Sequence, residues 1–297
     1  MMASARPLQT SATRAVQLVL IRPEGFPHIE SFREVIDALQ QQCKSLGIVF
    51  RLSINRIAGG ALPVVLGSHH LTPRAWETLP TDAIIYNLEP LIEGYPWFSE
   101  DYLTLLDRHR VWDYSAENVA LLQARGHRNA SHLPVAYPPE LAGIPKIVED
   151  IDVLFYGILS NRRRALLEFF SGSGLRLAIL NGTFGVERDA WIARSKVVLN
   201  IHNADCCRAE TPRLCHLLAN GRAVVSEETP LHDVDLELAA AIRFAAPKRL
   251  TEACRHLTDD AKLRSRMADQ GRQLMAHRNV FCMELLGKLL HECSAAQ

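Results

Sequence analysis

The sequence predicts an α/β protein of two domains, each a parallel sheet covered by helices, and three observations lead there. Residues 151–228 hold four short apolar runs, 153–156, 175–180, 197–201 and 223–226, with helix-like segments between them. Strands covered on both faces by crossover helices read as continuous apolar runs rather than alternating ones. The first half repeats that rhythm, with strands expected at 15–21, 48–54, 64–67, 83–86 and 110–113. Between Tyr137 and Asp150 the chain reads YPPELAGIPKIVED, where three prolines and the charges after them leave little to build an element from. The domain boundary is placed there, near residue 145. At 297 residues each half is long enough to bury its own core.

In chain order, residues 1–13 are expected to form a flexible leader, basic and small-polar without the apolar stretch of a secretory signal. Residues 14–144 make the first domain. After its first strand comes a Pro and Gly-rich loop at 22–28, then a helix with Ser31 as N-cap, Glu34 in the capping-box position and Gly47 at its end. SEDYLTLLDRH and AENVALLQARG read as further helices, and HLPVAY as a closing apolar piece. Residues 145–279 make the second domain, with a last strand at 240–244 and helical spacing from Leu250 through Met275. A separate terminal helix, 280–293, shows Phe281, Leu285, Leu286, Leu289 and Leu290 on one side, so it must pack on something.

Composition narrows the function classes. Lys and Arg total 33 and Asp and Glu total 33, so no overall field favours nucleic acid or an anionic membrane, and any anion site is local. No apolar run reaches the length of a membrane span. Seven cysteines without metal-type spacing, including the adjacent Cys206 and Cys207, point to reduced thiols in the cytoplasm. Neither GxGxxG nor GxxxxGK[ST] occurs, which argues against a dinucleotide-dependent oxidoreductase and a P-loop NTPase.

In open parallel sheets ligands sit beyond the carboxyl ends of strands. There the second half offers Gly157 with Asn161, Arg162 and Arg163, then Asn181 and Gly182, then His202 and Asn203. Glycine lets backbone amides approach a ligand, and adjacent guanidiniums match phosphate oxygens. The bland alternative is an arginine run capping a surface helix. Glu210 and Arg213, three apart at a helix start, suit ribose hydroxyls and phosphate, or equally an intrahelical ion pair. In the first half His69, His70 and Glu89 follow strands and are candidate general bases, although a loop histidine is more often a structural hydrogen-bonder. Glu24 and His28 are weaker candidates of the same kind. The carboxylate pairs Asp233 with Asp235 and Asp259 with Asp260 read as solvated, so no metal site is expected.

Four pieces, FYGILSNRRRALLEFF, FGVERDAWIARSKVVLNIH, ETPRLCHLLANGRAVVSE and DDAKLRSRMADQGRQL, together with VVLGSHHL and IIYNLEPL, resemble GT-B fold glycosyltransferases of the spore-maturation-protein-like, glycosyltransferase group 1 family. The resemblance implies two Rossmann-like domains facing one cleft, with the last helix crossing back to the first. It further implies metal-independent transfer of a sugar from a nucleoside-diphosphate sugar, held by the second domain, to an acceptor hydroxyl on the first. The nucleotide sugar is then a substrate and no cofactor is implied. By position, Gly157 with Arg162 or Arg163 would approach the diphosphate, and Glu210 with Arg213 the ribose and phosphate. His216 stands where many GT-B enzymes carry the ribose-binding glutamate. The acceptor, a glycan, peptide or small molecule, and the oligomeric state are left open. A sugar-nucleotide-binding partner subunit without turnover is the competing reading.

Overall fold

The computed structural model describes residues 15–25, 27–203, 210–228 and 236–295. The expected leader, the Cys206 and Cys207 pair and Asp233 with Asp235 therefore lie outside the described residues.

The first lobe runs β1 (Ala15–Leu20), α1 (Arg33–Ser45), β2 (Val49–Ile54), β3 (Leu62–Leu66), α2 (Pro73–Trp76), β4 (Ile84–Asn87), α3 (Glu100–Arg108), β5 (Arg110–Asp113), α4 (Ala116–Ala124) and β6 (Ala130–His132). The second runs β7 (Ile151–Tyr156), α5 (Asn161–Glu168), β8 (Leu177–Leu180), α6 (Gly185–Ala193), β9 (Ser195–Asn200), α7 (Thr211–Ala219), β10 (Val224–Glu227), α8 (Leu236–Ala239), β11 (Arg243–Ala245), α9 (Leu250–Asp259) and α10 (Ala261–Ala295). The sheets are ordered β2-β1-β3-β4-β5-β6 and β11-β10-β9-β7-β8, with every pairing parallel.

Both orders reverse next to their first strand, between β1 and β3 and between β7 and β9. Such reversals open a crevice at the carboxyl edge, because the crossovers on either side leave in opposite directions. The central strands β3, β4, β7 and β10 are buried along their whole length. The edge strand β2 instead exposes Val49, Leu52 and Ile54.

Four local expectations need correction. Ser31 does not cap α1: a 3-10 turn, Pro27–Phe32, leads into that helix, Phe32 takes the cap position and buries its ring, and no side chain bonds there. The first half closes on a strand, Ala130–His132, that takes in only the first residue of the apolar piece HLPVAY. The terminal helix is not separate, since α10 runs unbroken for 35 residues. Phe281 is 57% exposed, the buried stripe being Cys282, Leu286, Leu289, Leu290 and Cys293.

The length of α10 joins the lobes. Its first half packs on the second lobe at Gly271, where an added Cβ would lie 3.0 Å from Leu218 Cδ2 and 3.3 Å from the Leu218 carbonyl oxygen. Farther along, Arg278 Nε donates to the Val135 carbonyl at 2.7 Å and the Cys282 thiol to that of Pro134 at 3.3 Å. Gln42 on α1 donates to Asn279 at 3.0 Å. One apolar core accordingly continues from β1 and α1 through Leu214 and Leu218 of α7 to Leu286 and Leu290. Among the described residues no helix is long and apolar enough to cross a membrane.

Candidate active site

The two crevices face each other across a cleft of about 520 Å³. Its second-lobe wall includes Gly157, Arg163, Gly182, Asn203, Glu210 and Arg213, and its first-lobe wall includes His69, His70 and Glu89. Asn161, Arg162, Asn181 and His202 are not among the lining residues. They bind the scaffold instead. Arg162 clasps the Glu227 carboxylate with both terminal nitrogens and donates to the His202 carbonyl at 3.1 Å. Asn181 accepts from the Leu159 amide at 3.0 Å, and Asn161 opens α5. Buried His202 donates its backbone N–H to Glu227 at 3.0 Å, and burial holds its imidazole below the ordinary pKa.

Gly157 follows β7 with φ of 137°. A Cβ there would stand 2.9 Å from Arg213 Nη2 and 3.2 Å from Arg163 Nη1, so glycine is what admits both guanidiniums to the strand end. Glu210 lies between them: Arg163 Nη2 donates to Oε1 at 2.5 Å, and Arg213 pairs with Oε2. Burial works against the Glu210 charge, but Arg213 and Arg163 outweigh it and keep the carboxyl below its ordinary pKa. Arg213 also donates to Asn200 Oδ1 at 3.0 Å and lies 4.8 Å over the Tyr156 ring. The first turns of α6 and α7 begin at this wall, and neither N-cap residue, Phe184 or Glu210, bonds them with its side chain. Their amides and dipoles favour an anion.

Opposite, His69 Nε2 lies 3.7 Å from Glu89 Oε1. The imidazole is held neutral, its pKa lowered to about 3 by burial and by His70. Burial pushes the Glu89 carboxyl up to about 7, against a hydrogen bond from Tyr95 that lowers it. A carboxylate tuned to neutrality is poised for proton transfer. Its loop is pinned from beneath by a buried polar network. Asn87 Nδ2 donates to the Glu89 carbonyl at 2.9 Å and to Asp113 at 2.7 Å, Tyr102 OH donates to Asn87 Oδ1 at 2.8 Å, and Asn118 Nδ2 donates to the Glu89 carbonyl at 3.0 Å.

Several cleft residues escape a reading of the sequence. Arg188 on α6 donates to Glu34 on α1 and lies 5.6 Å over Tyr156. Trp97 packs its ring 4.8 Å from that of His69 and 5.0 Å from that of His70. The run GYPW after β4 was a usable signal for an aromatic loop, whereas nothing local marks Arg188. His216 is buried with Nε2 3.8 Å from Asp189 and its ring 5.1 Å from Tyr137, and burial lowers its pKa to about 3.

Two parallel sheets with switch points facing one cleft, spanned by a C-terminal helix, define the GT-B fold. The structure is similar to AviGT4, a glycosyltransferase involved in avilamycin A biosynthesis, with a TM-score of 0.62 and 14% identity over 95% of this chain and 98% of that one. It is likewise similar to the sucrose-phosphate synthase of Thermosynechococcus elongatus, with a TM-score of 0.63 and 10% identity over 95% and 100% of the chains. Anabaena Alr3699/HepE, solved in complex with UDP and glucose, gives 0.59 and 11% over 92% and 98%. Residues 185–283 match the family described as Glycosyl transferase-like. The chain thus has the GT-B fold, and its segment 185–283 is similar to a glycosyl transferase-like family. In sequence it is 28% identical over 177 residues to protein L140 of Acanthamoeba polyphaga mimivirus, 57% of each chain. To R358 of the same virus it is 31% identical over 129 residues, covering 43% of this chain and 44% of that one. The match thus spans about half the length of these curated relatives.

Proposed function

We propose that the protein transfers a sugar from a nucleoside diphosphate to an acceptor hydroxyl without a metal ion. The observation that carries this reading is the opposition across one cleft of the Gly157, Arg163 and Arg213 wall to Glu89, a carboxylate with a pKa near neutrality. Glu89 takes the proton of the acceptor hydroxyl as its oxygen bonds to the anomeric carbon. The bond from that carbon to the diphosphate oxygen breaks, and the negative charge passes to the leaving nucleotide. Arg213 and the amides opening α6 and α7 receive that charge, which is where fixed dipoles in a water-poor site act most strongly, and Arg163 holds the wall in place. Neutral His69, 3.7 Å from Glu89, adds no charge of its own. Buried thiols suit the cytoplasm: Cys43, Cys254 and Cys293 are free and buried, as a reducing compartment allows.

The uridine nucleotide bound by the Anabaena relative makes UDP the first probe. Calorimetry with UDP should show binding that Arg213→Ala weakens, and UDP-sugar incubations should release UDP. Glu89→Gln should cut turnover on the order of 10²-fold to 10⁴-fold with UDP affinity kept. An absence of nucleoside diphosphate binding rejects the proposal. One observation favours the competing reading, a binding subunit without turnover: neutral, buried His216 takes the place of the expected ribose-binding glutamate. Equal UDP release by wild type and Glu89→Gln would favour it.

A further inference from the structure

The first-lobe wall of the cleft has its own chemistry, and this step rests on the reading of that wall as the acceptor side. Among the described residues that line it, the first lobe contributes no lysine or arginine. Its charged groups are Glu34, already engaged by Arg188, and Glu89. Its two histidines add no positive charge, since burial lowers the pKa of both His69 and His70. The arginines of the cleft stand on the opposite wall, each held by a carboxylate. An anionic acceptor placed against Glu89 would therefore meet a carboxylate without a compensating cation, and a desolvated charge so placed is strongly disfavoured.

What the wall does offer is rings and hydrogen-bond acceptors. Trp97 is half-buried at the cleft and braced by the rings of His69 and His70, whose centroids are 4.0 Å apart. Tyr95 lines the same side and bonds to Glu89. An aromatic face carries negative charge density and attracts the weakly positive C–H face of a pyranose. The carboxylate beside it accepts from sugar hydroxyls, of which one is the nucleophile. A flat aromatic acceptor would use the rings but offer few hydroxyl donors, and a peptide would need partners for its backbone amides.

We infer that the acceptor is an uncharged saccharide whose ring lies against Trp97 with a hydroxyl at Glu89. Trp97 is then a specificity residue of the acceptor side, distinct from the nucleotide wall.

Saturation-transfer NMR on the full chain tests this with methyl glucoside, methyl galactoside and methyl mannoside against methyl glucuronide and glucose 6-phosphate, each with and without UDP. At least one neutral glycoside should bind and the charged analogues should not. Trp97→Ala should weaken the neutral glycoside about tenfold, and Trp97→Phe should restore most of the loss. A melting curve like that of the parent shows that each variant is folded. The inference is overturned if no neutral glycoside binds, if a charged analogue binds as well, or if folded Trp97→Ala binds like the parent. UDP calorimetry separates the two readings. Trp97-dependent glycoside binding without UDP binding sinks the donor assignment and supports this one, and UDP binding without any neutral glycoside sinks this one alone.

Discussion

Arg188 on α6 donates to the carboxylate of Glu34 on α1, so a buried ion pair spans the cleft from the second lobe to the first. The two side chains are only 6% and 13% exposed. Burial opposes the guanidinium charge, yet Glu34, Tyr156 and Asp189 outweigh it and hold the Arg188 pKa above its ordinary value. The pair sits where opening of the cleft would hydrate both partners, so it favours the closed arrangement.

Removing one partner leaves the other buried and uncompensated, which costs about 3 kcal/mol in a rigid core. Here the lobes have an escape, since opening admits water to the orphaned charge. Glu34→Ala is therefore expected to lower the melting temperature by several degrees and to enlarge the radius of gyration in small-angle scattering. An unchanged radius together with an unchanged melting temperature would show that the pair does not hold the lobes.

The titration of Glu89 gives a prediction in which stability and activity move in opposite directions. Its folded pKa, about 7, stands above the ordinary 4.5, so the folded state binds the proton more tightly. That contribution is complete below pH 4.5 and is lost as pH rises through 7, reaching on the order of 3 kcal/mol for a shift of this size. Catalysis by the carboxylate form runs the other way and rises through the same window. Glu89→Gln should consequently melt higher than the parent at pH 8, equal it near pH 4.5, and lose the pH-dependent limb of kcat/KM. Equal melting of the two proteins at pH 8 would contradict the burial of that charge.

At Gly157 an alanine meets two obstacles. The φ of 137° disfavours any Cβ, with a strain of about 1–3 kcal/mol, and the new methyl would press on Arg213 Nη2 and Arg163 Nη1. The guanidiniums must move from the end of β7. UDP affinity should fall about tenfold or more, and calorimetry beside a melting curve separates that loss from the backbone strain.

The sheets were legible because doubly covered strands are written as apolar runs: residues 153–156 and 64–66 announce themselves locally, whatever packs against them. The start of α1 was not, since Ser31 and Glu34 match a capping box but Phe32 gains more by burial and Glu34 by pairing with Arg188. The unity of α10 was hidden by a change of partner. Met275, Arg278, Cys282 and Leu286 form one continuous buried stripe, but from Arg278 onward the helix bonds the first lobe, and that charged residue breaks the apolar pattern into what reads as two helices. On the second-lobe wall of the cleft, strand ends and glycine marked Gly157, Asn203 and Arg213. Arg188 escaped because its partner is 154 residues away, and Arg162 was mistaken for a ligand-facing group because a sequence does not show that Glu227 already clasps it.

The two arginines beside Gly157 divide their labour. Arg163 is 3% exposed and fully committed to the scaffold: Nε donates to the Ile201 carbonyl at 2.9 Å, Nη1 to that of Ile158 at 3.0 Å and Nη2 to Glu210 at 2.5 Å. Its removal strands the carbonyls just beyond β7 and β9 and the Glu210 carboxylate before α7, so Arg163→Ala should cost about 3–5 kcal/mol of stability, and lysine, lacking the planar fork, should not restore it. Arg213 lies in the cleft wall with its side chain 18% exposed, held by Asn200 and Glu210 and resting on Tyr156. A diphosphate can draw on that guanidinium without unravelling a strand end. Arg213→Ala should therefore leave most of the stability intact and weaken UDP by about 2 kcal/mol, roughly thirtyfold, the worth of a charge-assisted hydrogen bond. Loss of UDP affinity should also flatten its dependence on salt, because one fewer cation meets the phosphates. If Arg213→Ala binds UDP like the parent while folded Arg163→Ala does not, the roles of the pair are reversed.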